Sequence, residues 1–392
     1  MSNVLDDSRH RNAGLDLLRA LAIVLVFVYH WRVFVSPQPA LGWVGAFGWV
    51  GVDLFFVLSG YLIADQLLRG LRRGQALSVS SFWARRVLRT WPAFFVVLAV
   101  YAAWPGQLGG RDMPPLWRFA TFTQNIGLQP GTVFSHAWSL CIEEQFYLLL
   151  PLAVLALQRL GGDAQVRRRR AWAWLGVLVL AAMALRAGLW LRCGSDDAGN
   201  ADGYYTWVYY ASWARADEFL PGVALALLRH GHPALWARVS AHGRRWLLAG
   251  LLACAAMAVA LQQAYIVDDH HYGFWMTTVG YSAVAMAFAL LVLAALCPGS
   301  PLQRLQVPGA AALARWSYTL YLSHKAVAHG LAPPLKAQGL AGWPLFVAVA
   351  LACLLVAWLL HRLVERPFLA WRARAVPSSF MMPPVAPPLR PV

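Results

Sequence analysis

The chain has 392 residues, 59% of them apolar and only 13% charged, with 20 tryptophans and a mean hydropathy of +0.52; an average soluble protein carries roughly 25% charged residues. Apolar runs of about 20 residues recur along the whole length, so a string of soluble domains is excluded and one polytopic membrane domain is expected. A net charge of +16 does not make a nucleic-acid binder, because the basic residues fall between apolar runs instead of gathering on one face.

Charge clusters and Gly/Pro turns divide the sequence into about ten candidate spans, near 15–35, 44–68, 91–108, 138–158, 171–191, 207–228, 246–266, 274–297, 315–333 and 343–363. The polar leader before the first run lacks a small-residue cleavage signal, so that run is read as a retained span. Alternate connections are basic, with "RGLRRG", "FWARRVLR" and "RRRR", while the others hold Asp112, Asp196, Asp197, Asp202, Asp268 and Asp269. The positive-inside rule then puts both termini in the cytoplasm, as an even number of spans requires. Residues 119–137 are too short and polar to span yet too apolar for a loop in water, which suits a segment buried against the helices. The domain is expected over 1–376, with 377–392, "PSSFMMPPVAPPLRPV", a proline-rich and disordered tail. Five scattered cysteines have no metal-ligand spacing, and no metal is expected.

Ionisable groups inside spans cost several kcal/mol each unless paired or wet, so they mark function by default. On the first span Asp16 and Arg19 are three apart and can pair, and His30 follows Arg19 by eleven residues. That is about 16 Å of rise and close to three turns, which puts both on one face. Asp53 lies in an apolar run with no neighbouring base and needs a partner from another helix. Ser59-Gly60 in the same span permits close packing. Arg85, Arg86 and Arg89 at the start of the third span satisfy topology and also suit a polyphosphate. The fourth span opens with His136, Trp138, Ser139, Glu143 and Glu144, read as sharing the depth of His30, so that a glutamate could set the histidine's tautomer and basicity. The sixth span carries an aromatic outer end, Tyr204 to Trp213, and deeper Arg215, Asp217 and Glu218, able to form an internal ion pair.

Together "GLDLLRALAIVLVFVYH", "DLFFVLSGYLI", "FWARRVLRTWP", "HAWSLCIEEQFYLLLP", "RADEFLPGVALA", "SYTLYLSH" and "VERPF" resemble, in order and over about residues 14–368, the membrane-bound acyltransferase 3 family. The resemblance implies an all-α helical bundle in the bacterial inner membrane. It implies transfer of an acyl group, commonly acetyl, from acetyl-CoA or another acyl-CoA to a hydroxyl of a surface carbohydrate such as a lipopolysaccharide or exopolysaccharide. Carried over by position, it makes His30 the candidate base with Glu143 and Glu144 beside it. Arg19, Arg85, Arg86 and Arg89 become donor-binding candidates, and Asp16, Asp53, Ser59, Gly60, Trp138, Ser139 and His324 the other motif positions near the site. Leu17, where a glycine is frequent, and Cys141-Ile142 depart from the pattern without touching the chemistry. Some relatives append a soluble hydrolase-like domain; here only the proline-rich tail follows Phe368, so the membrane unit or a separate protein is expected to complete transfer.

The expected mechanism has CoA phosphates at the arginine cluster, the pantetheine arm running along the first helix, and the thioester at His30. Direct attack and transfer through an acyl-histidine both remain open, and Ser59, Ser139 or the Trp138 indole could steady an oxyanion. A small-molecule acceptor such as a macrolide, a transporter of acylated or anionic substrate, and a non-catalytic scaffold are the competing readings. The expected partners are acyl-CoA, a carbohydrate and the bilayer, with a membrane oligomer compatible and nucleic acid not.

Overall fold

Asn12 starts the first helix: its side-chain oxygen accepts from the Leu15 N–H at 3.0 Å, and its amide donates to the Ala295 carbonyl at 3.0 Å. The computed structural model describes residues 12–39, 41–193, 201–266 and 271–381. The long helices are α1 (Ala13–Phe34), α2 (Gly51–Arg72), α3 (Val79–Ala103), α4 (Trp138–Arg159), α5 (Ala164–Cys193), α6 (Leu220–Gly231), α7 (Gly243–Ala264), α8 (Tyr281–Leu296), α9 (Ala310–Ala337), α10 (Gly342–Leu360) and α11 (Arg366–Ala375). An apolar chain that must satisfy its backbone without water has little alternative to helix. The strands, β1 (Ala76–Leu77) with β4 (Phe380–Met381) and β2 (Tyr265–Ile266) with β3 (His271–Tyr272), are two residues each and antiparallel.

Eight helical stretches among the described residues are long and apolar enough to cross a membrane. The fold is a polytopic helical membrane bundle, as expected. Two of the ten expected spans depart from that standard. α9 runs unbroken for 28 residues but carries Arg315, His324, Lys325 and Lys336. The expected span 207–228 is broken: a π-turn over Tyr205–Tyr209, short turns over Ser212–Arg215 and Ala216–Phe219, then α6. The break goes with its charges: Arg215, Asp217 and Glu218 are all buried, and Arg215 reaches Asp53 on α2 while Asp217 reaches Arg186 on α5.

α1, α2, α8 and α9 form the centre; α1 packs on α9, α9 on α10, α2 on α6 and α7 on α8. By contrast α5, α7 and α10 turn leucines outward, as with Leu180, 66% exposed, which lipid covers. The α2–α6 contact is backbone to backbone. A Cβ on Gly60 would lie 2.1 Å from the Phe219 carbonyl oxygen, and one on Gly222 would lie 2.1 Å from that of Val57. Gly60→Ala is therefore expected to destabilise by roughly 1–3 kcal/mol, read as a lower thermal midpoint in detergent. Gly176→Ala, with nothing within 4 Å of its Cβ, is the control and should lose nothing.

The irregular segment 119–137 lies against the helices, with Phe119, Phe122, Leu128, Val133 and Phe134 buried. Its polar groups are met from within: the Gln145 side chain donates to the Phe122 carbonyl at 2.8 Å, and that of Asn125 to the Tyr210 carbonyl at 2.9 Å. The tail expectation needs correction for 377–381. The Ser78 N–H donates to the Ser379 carbonyl at 2.9 Å, β4 pairs with β1, and the Phe380 ring fills the space that the missing Cβ of Gly70 leaves. Residues 382–392, and with them the rest of the expected tail, lie outside the described residues, as do the acidic connections at 194–200 and 267–270.

Candidate active site

The first helix brings His30 to α9. His30 Nδ1 is 2.6 Å from His324 Nε2, with the rings stacked at 4.8 Å. His324 Nδ1 lies 3.0 Å and 2.9 Å from the carbonyl oxygens of Leu320 and Tyr321. Carbonyls only accept, so Nδ1 carries the His324 hydrogen and its Nε2 must accept. His30 Nδ1 then donates, and His30 Nε2 keeps a free lone pair. The partner thus fixes the tautomer. His324 is buried while His30 is half-buried, so the ring with the free nitrogen is the more accessible of the two.

A third ring closes the group. His136, on the turn before α4, has its ring 6.1 Å from that of His30 and 5.2 Å from that of His324. Its Nε2 is 3.2 Å from the Leu322 carbonyl, and its Nδ1 is buried without a hydrogen-bond partner. Phe34 stacks on His30 at 4.9 Å. Ser139 Oγ is 2.6 Å from the Tyr321 hydroxyl, which donates to the His136 carbonyl on the same turn.

The expected glutamate beside His30 is not what α4 supplies. Glu143 accepts from Ser59 Oγ and, at 3.0 Å, from the Tyr147 hydroxyl; Glu144 accepts from the Trp91 indole at 3.3 Å. Seven residues separate His136 from Glu143, about 10 Å along a helix, so only His136 reaches the histidine level. The carboxylates sit nearer the arginines. Arg86 and Arg19 both bear electrostatically on Glu143, and Arg86 lies over the Tyr147 ring at 5.2 Å while donating to Gln66 at 3.0 Å.

The three α3 arginines diverge. Arg85 turns to the end of α11 and donates to the Val376 carbonyl at 2.9 Å, whereas Arg86 faces inward and Arg89, half-buried, acts on Arg86. Arg372 on α11 also acts on Arg86. Asp16 is buried in the first turn of α1.

Asp53 finds its partner on the broken span. Arg215, fully buried, donates to Asp53 at 3.0 Å and to Glu218, while its guanidinium lies 3.9 Å from the Tyr281 ring centroid and 5.2 Å from that of Trp138. Asp217 is taken by Arg186 through two bonds of 2.6 and 3.1 Å, with Ser282 at 2.5 Å. Asp53, Trp138 and the sixth-span charges thus make a separate buried network.

The arrangement offers a half-buried imidazole held by a second histidine, with one ring nitrogen left as an acceptor, and carboxylates and arginines farther along the bundle. A profile of the acyltransferase 3 family, described as an acyltransferase domain, matches residues 12–362. The chain belongs to the acyltransferase 3 family. It is similar to the O-acetyltransferase OatA of Staphylococcus aureus, 26% identical over 329 residues that make up 79% of this chain and 49% of that protein. It is also similar to the peptidoglycan O-acetyltransferase OatA of Listeria monocytogenes, 29% identical over 242 residues, 56% of this chain and 34% of that protein. The chain therefore spans about half the length of these relatives or less. No solved structure matches it.

Proposed function

We propose that this chain is an integral-membrane O-acyltransferase that moves an acyl group, most simply acetyl, from acyl-CoA to a hydroxyl of a surface glycan. The names of its relatives supply the acetyl group and the glycan class. The observation that carries the reading is the His324-to-His30 bond, which leaves His30 Nε2 able to take a proton from an acceptor hydroxyl. His324 orients that ring, and His136 adds a third ring to the cluster, its buried Nδ1 without a hydrogen-bond partner.

The donor set suits the other substrate. Arg86 and Arg89, with Arg19 on α1, are guanidinium groups of the kind that bind phosphates, and an axial spacing of about 16 Å between Arg19 and His30 is of the order of an extended pantetheine arm. In this reading the arginine-rich end faces the cytoplasm of a bacterial inner membrane, both termini lie there, and the histidines sit toward the outside where the glycan arrives. Arg86→Gln is expected to raise KM for acetyl-CoA roughly tenfold, the loss of one charge-assisted contact, with kcat little changed.

The deciding experiment is acetyl-CoA consumption by the purified chain in detergent, with and without glycan acceptors, followed as free thiol. Release of thiol that rises with acceptor is the expected outcome. A protein that binds acetyl-CoA and moves an acylated or anionic solute across vesicles without releasing thiol would make it a transporter instead.

A further inference from the structure

We propose that Lys325 supplies the charge that stabilises the oxyanion formed during acyl transfer; the inference rests on the reading of His30 as the base. Lys325 follows His324 on α9 and is 2% exposed. Its Nζ lies 4.7 Å from the centroid of Phe34, the ring stacked on His30, and it donates to Ser135 Oγ at 3.4 Å. Ser135 adjoins His136, so the ammonium borders the histidine cluster, and its charge acts on His30, His136 and His324 alike.

Among the described residues the other fully buried cations are matched. Arg186 has Asp217, and Arg215 has Asp53 and Glu218. Among the described residues no carboxylate pairs with Lys325, and one long hydrogen bond occupies it where an ammonium has three donors. A solitary ammonium at that depth costs several kcal/mol, and a methionine would fill the same space without that cost. The charge is in place for something that arrives negative.

Two of the groups that the sequence nominates for this role are engaged elsewhere: Ser59 Oγ donates to Glu143 and Ser139 Oγ bonds Tyr321. The third, Trp138, lies with its ring against Arg215, in the separate buried network. In the step assigned here the acceptor O–H loses its proton to His30 Nε2, and the oxygen forms a bond to the thioester carbon. The carbonyl π pair moves onto oxygen as an alkoxide, which the Lys325 ammonium holds. As the pair returns, the C–S bond breaks, and the leaving thiolate takes the proton from His30 to give free CoA thiol and the ester.

The test uses the full chain in detergent, wild type against Lys325→Met and Lys325→Arg, with kcat, KM for acetyl-CoA and the thermal midpoint measured together. Lys325→Met is expected to lower kcat roughly 10²–10³-fold, the usual effect of removing one oxyanion donor. KM should stay within about twofold, and the midpoint should hold or rise because a desolvated charge is gone. Lys325→Arg should keep more activity than the methionine variant. A wild-type kcat in Lys325→Met overturns the proposal, and so does a loss of kcat accompanied by a lower midpoint, which marks a packing role. Failure of the wild type itself to consume acetyl-CoA would instead bring down the acyltransferase reading on which the proposal stands.

Discussion

Replacing His30 by glutamine should lower kcat by roughly 10³–10⁴, and replacing His324 by leucine should come within about tenfold of that loss. His324 has no free nitrogen for substrate, since Nδ1 faces the Leu320 and Tyr321 carbonyls and Nε2 faces His30. Its loss therefore acts through His30: the ring can rotate or take the other tautomer, and the lone pair leaves the position where an acceptor hydroxyl would meet it. Two residues that work as one unit are not additive, so the double variant should be no slower than the poorer single one. Penalties that multiply would mean two independent sites, and a fully active His30→Gln protein would reduce the histidine pair to packing. Thermal midpoints must accompany the rates, because both rings also lie against Phe27 or Phe34.

The largest effect on stability should come from Arg215→Met. The substitution leaves Asp53 and Glu218 buried, adjacent and without their cation, and breaking a buried pair in this way costs roughly 3–5 kcal/mol. Three aromatic rings, Trp138, Tyr209 and Tyr281, also lose the guanidinium they surround. Replacing the whole network together, with Asp53→Asn and Glu218→Gln added to Arg215→Met, should recover much of the loss, since the charges cost desolvation as well as supplying attraction. Thermal unfolding in detergent reads both variants. An Arg215→Met protein with an unchanged midpoint and no turnover would move this network from scaffold to substrate contact.

Much of the bundle could be read from the chain because the membrane leaves few options: long apolar runs with polar breaks become helices. Asp53, alone in an oily run, announced a partner elsewhere, and Arg215 is that partner. The histidine's neighbour was harder to foresee. His136, Glu143 and Glu144 are close in sequence, yet a helix separates them by two turns, and no spacing rule says which turn of α4 stands level with His30. His324 and Lys325 were visible as an ionisable pair inside "SYTLYLSHK", but only packing of α9 on α1 turns His324 toward His30. The broken sixth span was hidden by its composition, which reads as apolar enough to continue, while Arg215 and Asp217 are buried against partners on two different helices, Asp53 on α2 and Arg186 on α5. At residues 379–381 proline content masked a strand two residues long, too short to show any alternation.

The return of β4 to β1 has a consequence in time. The contact from Arg85 to Val376 joins residues 291 apart in sequence, and the ring of Phe380 fills the notch beside Gly70. At about 5–20 residues per second, the first helices wait some 15 to 60 s for that plug to be synthesised. Throughout that interval the ends of α2 and α3, with the arginines they carry, stand open. The last described residues thus close elements made long before them, and that end of the bundle reaches its finished form only once residues 376–380 have emerged.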